Sequence, residues 1–190
     1  MAFGNFKITF NSPVILSFII ISAVSLVMGT LTAGLTTRMF FSSYPSSWLS
    51  PMTYLRMFTY VLGHADASHF FNNMLLFVLI GPILEEKYGS KRILIVIVAT
   101  ALVSALINNI FFTTGILGAS GIVFAFIVLA SMTSFKEGEI PLTFVIVLIL
   151  YLGKEILNGL FNVDNISQMG HLIGGCCGAV AGFLFQKNHI

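Results

Sequence analysis

The chain has 190 residues, of which 57% are hydrophobic and 8% charged, and its mean hydropathy is +0.98. Soluble domains carry about 25% charged residues, so the composition excludes an ordinary soluble domain and marks an integral membrane protein, with residues 1–190 forming a single membrane domain. The net charge of +2 comes from scattered basic residues, which points to no nucleic-acid partner; the lipid bilayer is the partner this composition demands.

Six apolar stretches predict six helical spans, an all-α membrane bundle. They run over 14–31, 69–84, 93–112, 120–135, 141–157 and 169–185. A helix crosses the hydrocarbon core with about 20 residues. The second, fourth and sixth stretches are short, and each opens with a polar residue. Met1–Ser12 leaves no room for a cytosolic domain. Pro13 suits a helix start. The first stretch is too long for a signal-peptide core of about 7–15 residues. Its Ser17, Ser22 and Ser25 read as helix-packing residues.

Thr32–Ser68 is the one long connection. It holds Phe40, Phe41, Tyr44, Trp48, Leu49, Tyr54 and Phe58, too aromatic a set for a free solvated loop. Trp and Tyr favour the bilayer interface, so the segment is expected to lie partly in the outer leaflet; a plain extracellular loop is the alternative. His69 and Asn73 then share a helix face at the head of the second span. Polar groups at membrane depth are functional by default, although His and Asn also serve as hydrogen bonds between helices. Glu85–Arg92 reads as a cytoplasmic turn whose charges mark the membrane boundary, with Gly89 as helix C-terminal cap.

No charged residue occurs from Ile93 to Phe135. The outer turn within this run, about Thr113–Gly118, is therefore expected to dip into the membrane, lining a cavity or buried in protein. Gly115 and Gly118 would let the chain descend before the fourth helix starts at Ser120. Lys136–Glu139 is a second cytoplasmic turn, Pro141 starts the fifth span, and Lys154 and Glu155 snorkel near its outer end. Asn158–Gln168 is an outer loop. Cys176 and Cys177 point to different faces of the last helix and read as packing residues, not a disulfide or metal site. No cofactor or metal is expected.

Lys7, Lys87, Lys91, Arg92, Lys136 and Lys187 fall on one side of a six-span chain, against Arg38, Arg56 and Lys154 on the other. This asymmetry predicts cytoplasmic termini and a site opening to the outer side, in the plasma membrane. Depth can be compared as well. Ser120 and His171 each stand sixteen residues before a lysine of the inner boundary, Lys136 and Lys187, about 24 Å along a helix. Asn73 stands fourteen before Lys87, about 21 Å. Three polar residues on three inward-running helices thus reach nearly one level.

A serine hydroxyl is a poor nucleophile until a base takes its proton. His171 can serve as that base across a contact lined by Gly174, Gly178 and Gly182, whose spacing of four permits close helix approach. Phe124, one turn below Ser120, can hold the imidazole by stacking. His69, Asn73 and the Ser120 backbone N–H, free at a helix start, are candidate oxyanion donors. No carboxylate lies at this depth, which favours a Ser–His dyad. The small residues Gly118, Ala119 and Gly121 also have a bland reading as packing.

Taken together, His69-x-x-x-Asn73, Gly118-x-Ser120-Gly121 and His171-x-x-Gly174-x-x-x-Gly178 resemble the rhomboid family of intramembrane serine proteases. The resemblance extends over essentially all six spans, including the Glu85–Ser90 turn. It implies cleavage of single-pass transmembrane protein substrates in or near their membrane segment, often after a small residue. It also implies Ser120 as nucleophile, His171 as base, and His69, Asn73 and the Ser120 N–H as oxyanion donors. The sequence departs from the family's pattern at two places. Leu55-Arg56 stands where Trp-Arg is common, and Phe124 where a tyrosine is common. Two other classes compete with this reading. A proteolytically inactive rhomboid relative that binds membrane clients would usually lack the serine or the histidine. A small transporter would need a polar path, which the apolar inner halves Ile122–Ala130 and Ala179–Phe185 oppose.

Overall fold

The computed structural model describes residues 9–133, 139–147, 149–150, 153 and 165–187. Its helices are α1 (Pro13–Leu31), α2 (Leu35–Phe40), α3 (Pro51–Thr59), a 3-10 turn (Tyr60–Leu62), α4 (Ala67–Tyr88), α5 (Ser90–Phe111), α6 (Ser120–Ser131) and α7 (Asn165–Lys187). Between α6 and α7, residues 142–147, 149–150 and 153 are helical. The Lys136 marker, Lys154, Glu155 and most of the Asn158–Gln168 loop lie outside the described residues. The protein is an all-α membrane bundle. Among the described residues, four helices are long and apolar enough to cross a membrane: α1, α4, α5 and the Gln168–Phe185 part of α7.

The fourth helix is shorter than its apolar stretch. It runs for 12 residues and ends at Ser131, about 18 Å at the α-helical rise. A helix of that length cannot cross the core alone. It is instead the buried centre of the bundle: Ile122, Val123, Ala125, Phe126, Val128 and Leu129 are all buried. Phe126 lies 5.1 Å from Phe77 of α4, which in turn stacks at 4.5 Å on Phe18 of α1. Apolar side chains on the outside of the bundle, such as Ile20, Val24, Val27, Leu75, Leu79 and Ile83, are exposed, as lipid-facing positions are.

The start of α1 has an identifiable cause. Pro13 opens α1 at N1, where its missing N–H costs nothing. Ser12 gives no side-chain cap. The cap comes from α4: Glu85 accepts hydrogen bonds from the Val14 and Ile15 N–H groups, both at 3.0 Å, and from the Ser90 hydroxyl at 2.7 Å. Glu85 is buried. A carboxylate at a helix N-terminus satisfies orphan donors and faces the positive end of the dipole. This corrects the reading of the Glu85–Arg92 charges as boundary markers only. Gly89, with φ +83°, joins α4 to α5. Ser22 and Ser25 are buried in packing positions as expected, whereas Ser17 is exposed.

The long outer connection is a scaffold and not a free loop. Met57, Tyr60 and Val61 are buried, while Trp48, Leu49, Tyr54, Leu55 and Phe58 are exposed, an arrangement that suits an interface. Arg56 donates from Nε to the Met39 carbonyl at 2.8 Å and lies over the Tyr44 ring at 4.4 Å.

Candidate functional site

The segment between α5 and α6 carries the expected nucleophile, and the outer connection holds that segment in place. Ser43 and Ile116 exchange backbone hydrogen bonds at 2.9 and 2.8 Å. The Gly118 N–H donates to the Tyr60 carbonyl at 2.9 Å, and Asn108 Nδ2 donates to the Thr114 carbonyl at 3.0 Å. These bonds satisfy backbone groups of the turn that no helix or strand pairs. Thr113, Thr114 and Gly115 are exposed, Ile116 and Leu117 half-buried, and Gly118 and Ala119 buried, so only the end of the turn next to Ser120 is enclosed in protein. Gly118 takes φ +109°, which glycine adopts freely. That turn delivers Ser120 as the first residue of α6, where a backbone N–H has no intrahelical acceptor.

The head of α4 faces Gly118. Asp66 caps α4, its Oδ1 accepting from the His69 N–H at 2.8 Å, which fixes His69 in the first turn. A Cβ on Gly118 would stand 2.7 Å from both Cε1 and Nε2 of His69 and 3.6 Å from Nδ2 of Asn73. Both side chains therefore converge on the residue two before Ser120. Asn73 is 7% exposed, and its Nδ2 has no hydrogen-bond partner. His69 Nδ1 accepts from the Ala65 N–H at 3.5 Å. That long bond assigns the proton to Nε2, the nitrogen near Gly118.

A cavity of about 220 Å³ opens here, lined by Tyr60, His69, Ser104, Ile116, Gly118, Ser120 and Gly170, among others. Tyr60 and Ser104 were not picked out from the sequence. Burial pushes the Tyr60 phenol up, so it stays neutral. A signal for Ser104 existed: Thr100, Ser104 and Asn108 recur every four residues in a span whose only other polar residue is Asn109, and all three are buried. His171 does not line this cavity. It sits on α7 against α6, its ring 4.2 Å from that of Phe124 and tilted 40° to it, so the two rings are in contact but tilted where stacking was expected.

The glycines of α7 make that approach possible. A Cβ on Gly174 would strike the Gly121 carbonyl, and one on Gly178 the Ala125 carbonyl. On Gly182 it would stand 2.5 Å from Met132 Sδ. A Cβ on Gly121 would come within 3.1 Å of the Gly170 carbonyl. Thus the neighbours of Ser120 meet the neighbours of His171 on facing turns. His69 and Asn73 of α4 thus meet Gly118, while Gly121, Phe124 and Ala125 of α6 meet Gly170, His171, Gly174 and Gly178 of α7. Cys176 is exposed and Cys177 half-buried, both free. Among the described residues, no cluster suited to a metal ion occurs.

Comparison with known proteins agrees with this geometry. Residues 51–188 match the Rhomboid domain. Rhomboid protease GluP of Bacillus subtilis is 26% identical over 151 residues, which is 76% of this chain and 29% of that protein. Rhomboid protease GlpG of Haemophilus influenzae is 22% identical over 152 residues, 78% of this chain and 79% of the relative. RHOMBOID-like protein 1 of Arabidopsis thaliana is 30% identical over 138 residues, 68% of this chain and 34% of the relative. The chain thus spans about a third or less of two of these relatives and most of the third. With more than half of its length matched by the Rhomboid domain, the chain belongs to the rhomboid family.

Proposed function

We propose that the protein is an intramembrane serine endopeptidase that cleaves single-pass transmembrane proteins in or near their membrane segment. The observation that carries the proposal is the convergence of His69 and the unpartnered Asn73 Nδ2 on Gly118 beside Ser120. In the reaction, the Ser120 hydroxyl attacks the scissile carbonyl carbon while the His171 imidazole takes its proton. The carbonyl oxygen becomes an oxyanion. Donors waiting for it are His69 Nε2–H, the Asn73 amide and the Ser120 N–H. Collapse breaks the C–N bond, and the imidazolium returns the proton to the leaving amine. Water then attacks the acyl-enzyme, with His171 again as base, and releases the new carboxylate. Phe124 keeps the ring contact to His171 without a hydroxyl, and Gly174 and Gly178 keep α7 against α6.

The termini are cytoplasmic and the cavity opens to the outer side of the plasma membrane in this reading, by the asymmetry of Lys and Arg. Transport would need a polar path, but below the site the bundle is filled by Phe126, Leu129, Met132, Ala181 and Phe185, all buried.

The test is to incubate the purified protein in detergent with a serine-directed activity probe and map the labelled residue, alongside turnover of a model transmembrane substrate. Labelling at Ser120, and loss of turnover in a folded Ser120→Ala variant, is the expected result. Turnover that persists in that variant would overturn the assignment, and substrate binding without turnover by the wild type would point to a client-binding relative.

A further inference from the structure

His64 has no part in the site described so far. It lies in the segment between the 3-10 turn and α4, and it is only 2% exposed. Its Nδ1 is 3.3 Å from the Leu62 carbonyl oxygen. A carbonyl only accepts, so Nδ1 carries the proton and Nε2 is bare. That second nitrogen is buried with no hydrogen-bond partner. Burial, reinforced by the neighbouring His69, pushes the His64 pKa down to about 4, against a small opposing effect of the Leu62 carbonyl. The ring packs edge-to-face on His69 at 5.0 Å and on Phe70 at 5.4 Å.

His69 needs such a neighbour. Its side-chain hydrogen bond among the described residues, Nδ1 accepting from the Ala65 N–H, is 3.5 Å long, at the limit of a hydrogen bond. A histidine χ2 is broad and roughly two-fold. Rotation about it would swap the donating Nε2–H for carbon, so packing must hold the ring. The Gly118 backbone bounds it at one contact and His64 at another.

We infer that His64 is a positioning residue: its tethered, buried ring fixes the His69 imidazole with Nε2–H presented beside Gly118 and Ser120. What His69 does there rests on the proposed protease function; how His69 is held does not.

The experiment is to replace His64 by Ala, Gln and Phe and measure both catalysis and the ¹⁵N imidazole spectrum of His69, assigned by its loss in His69→Asn. In His64→Ala, kcat should fall about 10- to 10²-fold with KM nearly unchanged, since a displacement near 1 Å at a reacting group costs that much. His64→Gln can keep a donor for Leu62 but loses the ring, and should fall as far. His64→Phe keeps the ring, and should recover to within about threefold of wild type. In step with kcat, the His69 signals should lose the single Nε2–H tautomer in Ala and Gln and keep it in Phe. An unchanged His69 spectrum in either folded Ala or Gln variant overturns the inference, as does failure of Phe to rescue. Should wild-type protein prove inactive, the protease reading falls and the spectra alone still decide the positioning role.

Discussion

The His69 ring occupies the space in which a side chain on Gly118 would have to stand, with a Cβ there 2.7 Å from two ring atoms. The backbone at Gly118 also takes φ +109°, a conformation that side chains resist. Gly118→Ala should therefore displace His69 and strain the turn before Ser120. Turnover of a model substrate is expected to drop by about 10²-fold or more, with only a modest loss of thermal stability. Wild-type turnover in this variant would show that His69 does not work from its present position.

Asn73 gives a sharper separation of catalysis from folding. Its amide nitrogen is buried and forms no hydrogen bond in the resting protein. Removing a group that makes no bond costs little stability. Asn73→Ala should thus leave the unfolding temperature nearly unchanged while kcat falls by up to about 10²-fold and KM moves less. An unfolding temperature that collapses while kcat holds would return Asn73 to a packing role.

Gly178 lies against the Ala125 backbone and bears no side chain that could react. Gly178→Val should force α7 away from α6 at a cost of about 1–3 kcal/mol. The displacement carries His171 with it, so labelling by a serine-directed probe should weaken together with thermal stability. Both quantities read on one preparation decide the matter. If neither changes, the contact is unimportant.

Glu85 ties α1 to α4 far from the chemistry. Glu85→Gln keeps one acceptor oxygen but loses the charge and the second oxygen, leaving a backbone N–H of α1 unsatisfied. A loss of about 1–3 kcal/mol is expected, seen as a lower unfolding temperature in detergent. Turnover at a permissive temperature should stay near wild type. A variant as stable as wild type would mean that water or lipid can replace the carboxylate.

Proteolysis should rise with pH between 5 and 8, because a general base must be neutral and an ordinary histidine titrates near about 6.5. A steady fall over that range would discard His171 as base. His64, held to about 4, stays neutral there and adds no step to the rate profile. It does affect stability. Its folded pKa is depressed, so as pH falls the unfolded chain takes up the proton first, from about 6.5 downward. The folded protein should lose stability between about 6.5 and about 4, and His64→Phe should flatten that part of a plot of unfolding temperature against pH.

The sequence determined the membrane class, the four membrane-length helices found among the described residues, the placing of His69 and Asn73 on one face, and the glycine stripe on which His171 lies. These follow from composition and from the 3.6-residue period, which act locally. It also carried the family motifs, because each sits within a few residues at a helix head. The end of α6 was not legible: its apolar stretch continues beyond Ser131, and hydropathy does not register where hydrogen bonding stops. Nor was Glu85 legible as a cap, since its partners stand 70 and 71 residues away and a carboxylate beside lysines reads as a solvated turn. Tyr60 and Ser104 come to line the cavity, and His64 comes to pack on His69, only in three dimensions. The outer connection folds back onto the turn before Ser120 through the Ser43–Ile116 and Tyr60–Gly118 hydrogen bonds. Burial of unpaired backbone forces such pairing, but which distant segment supplies the partners is decided by how the helices pack.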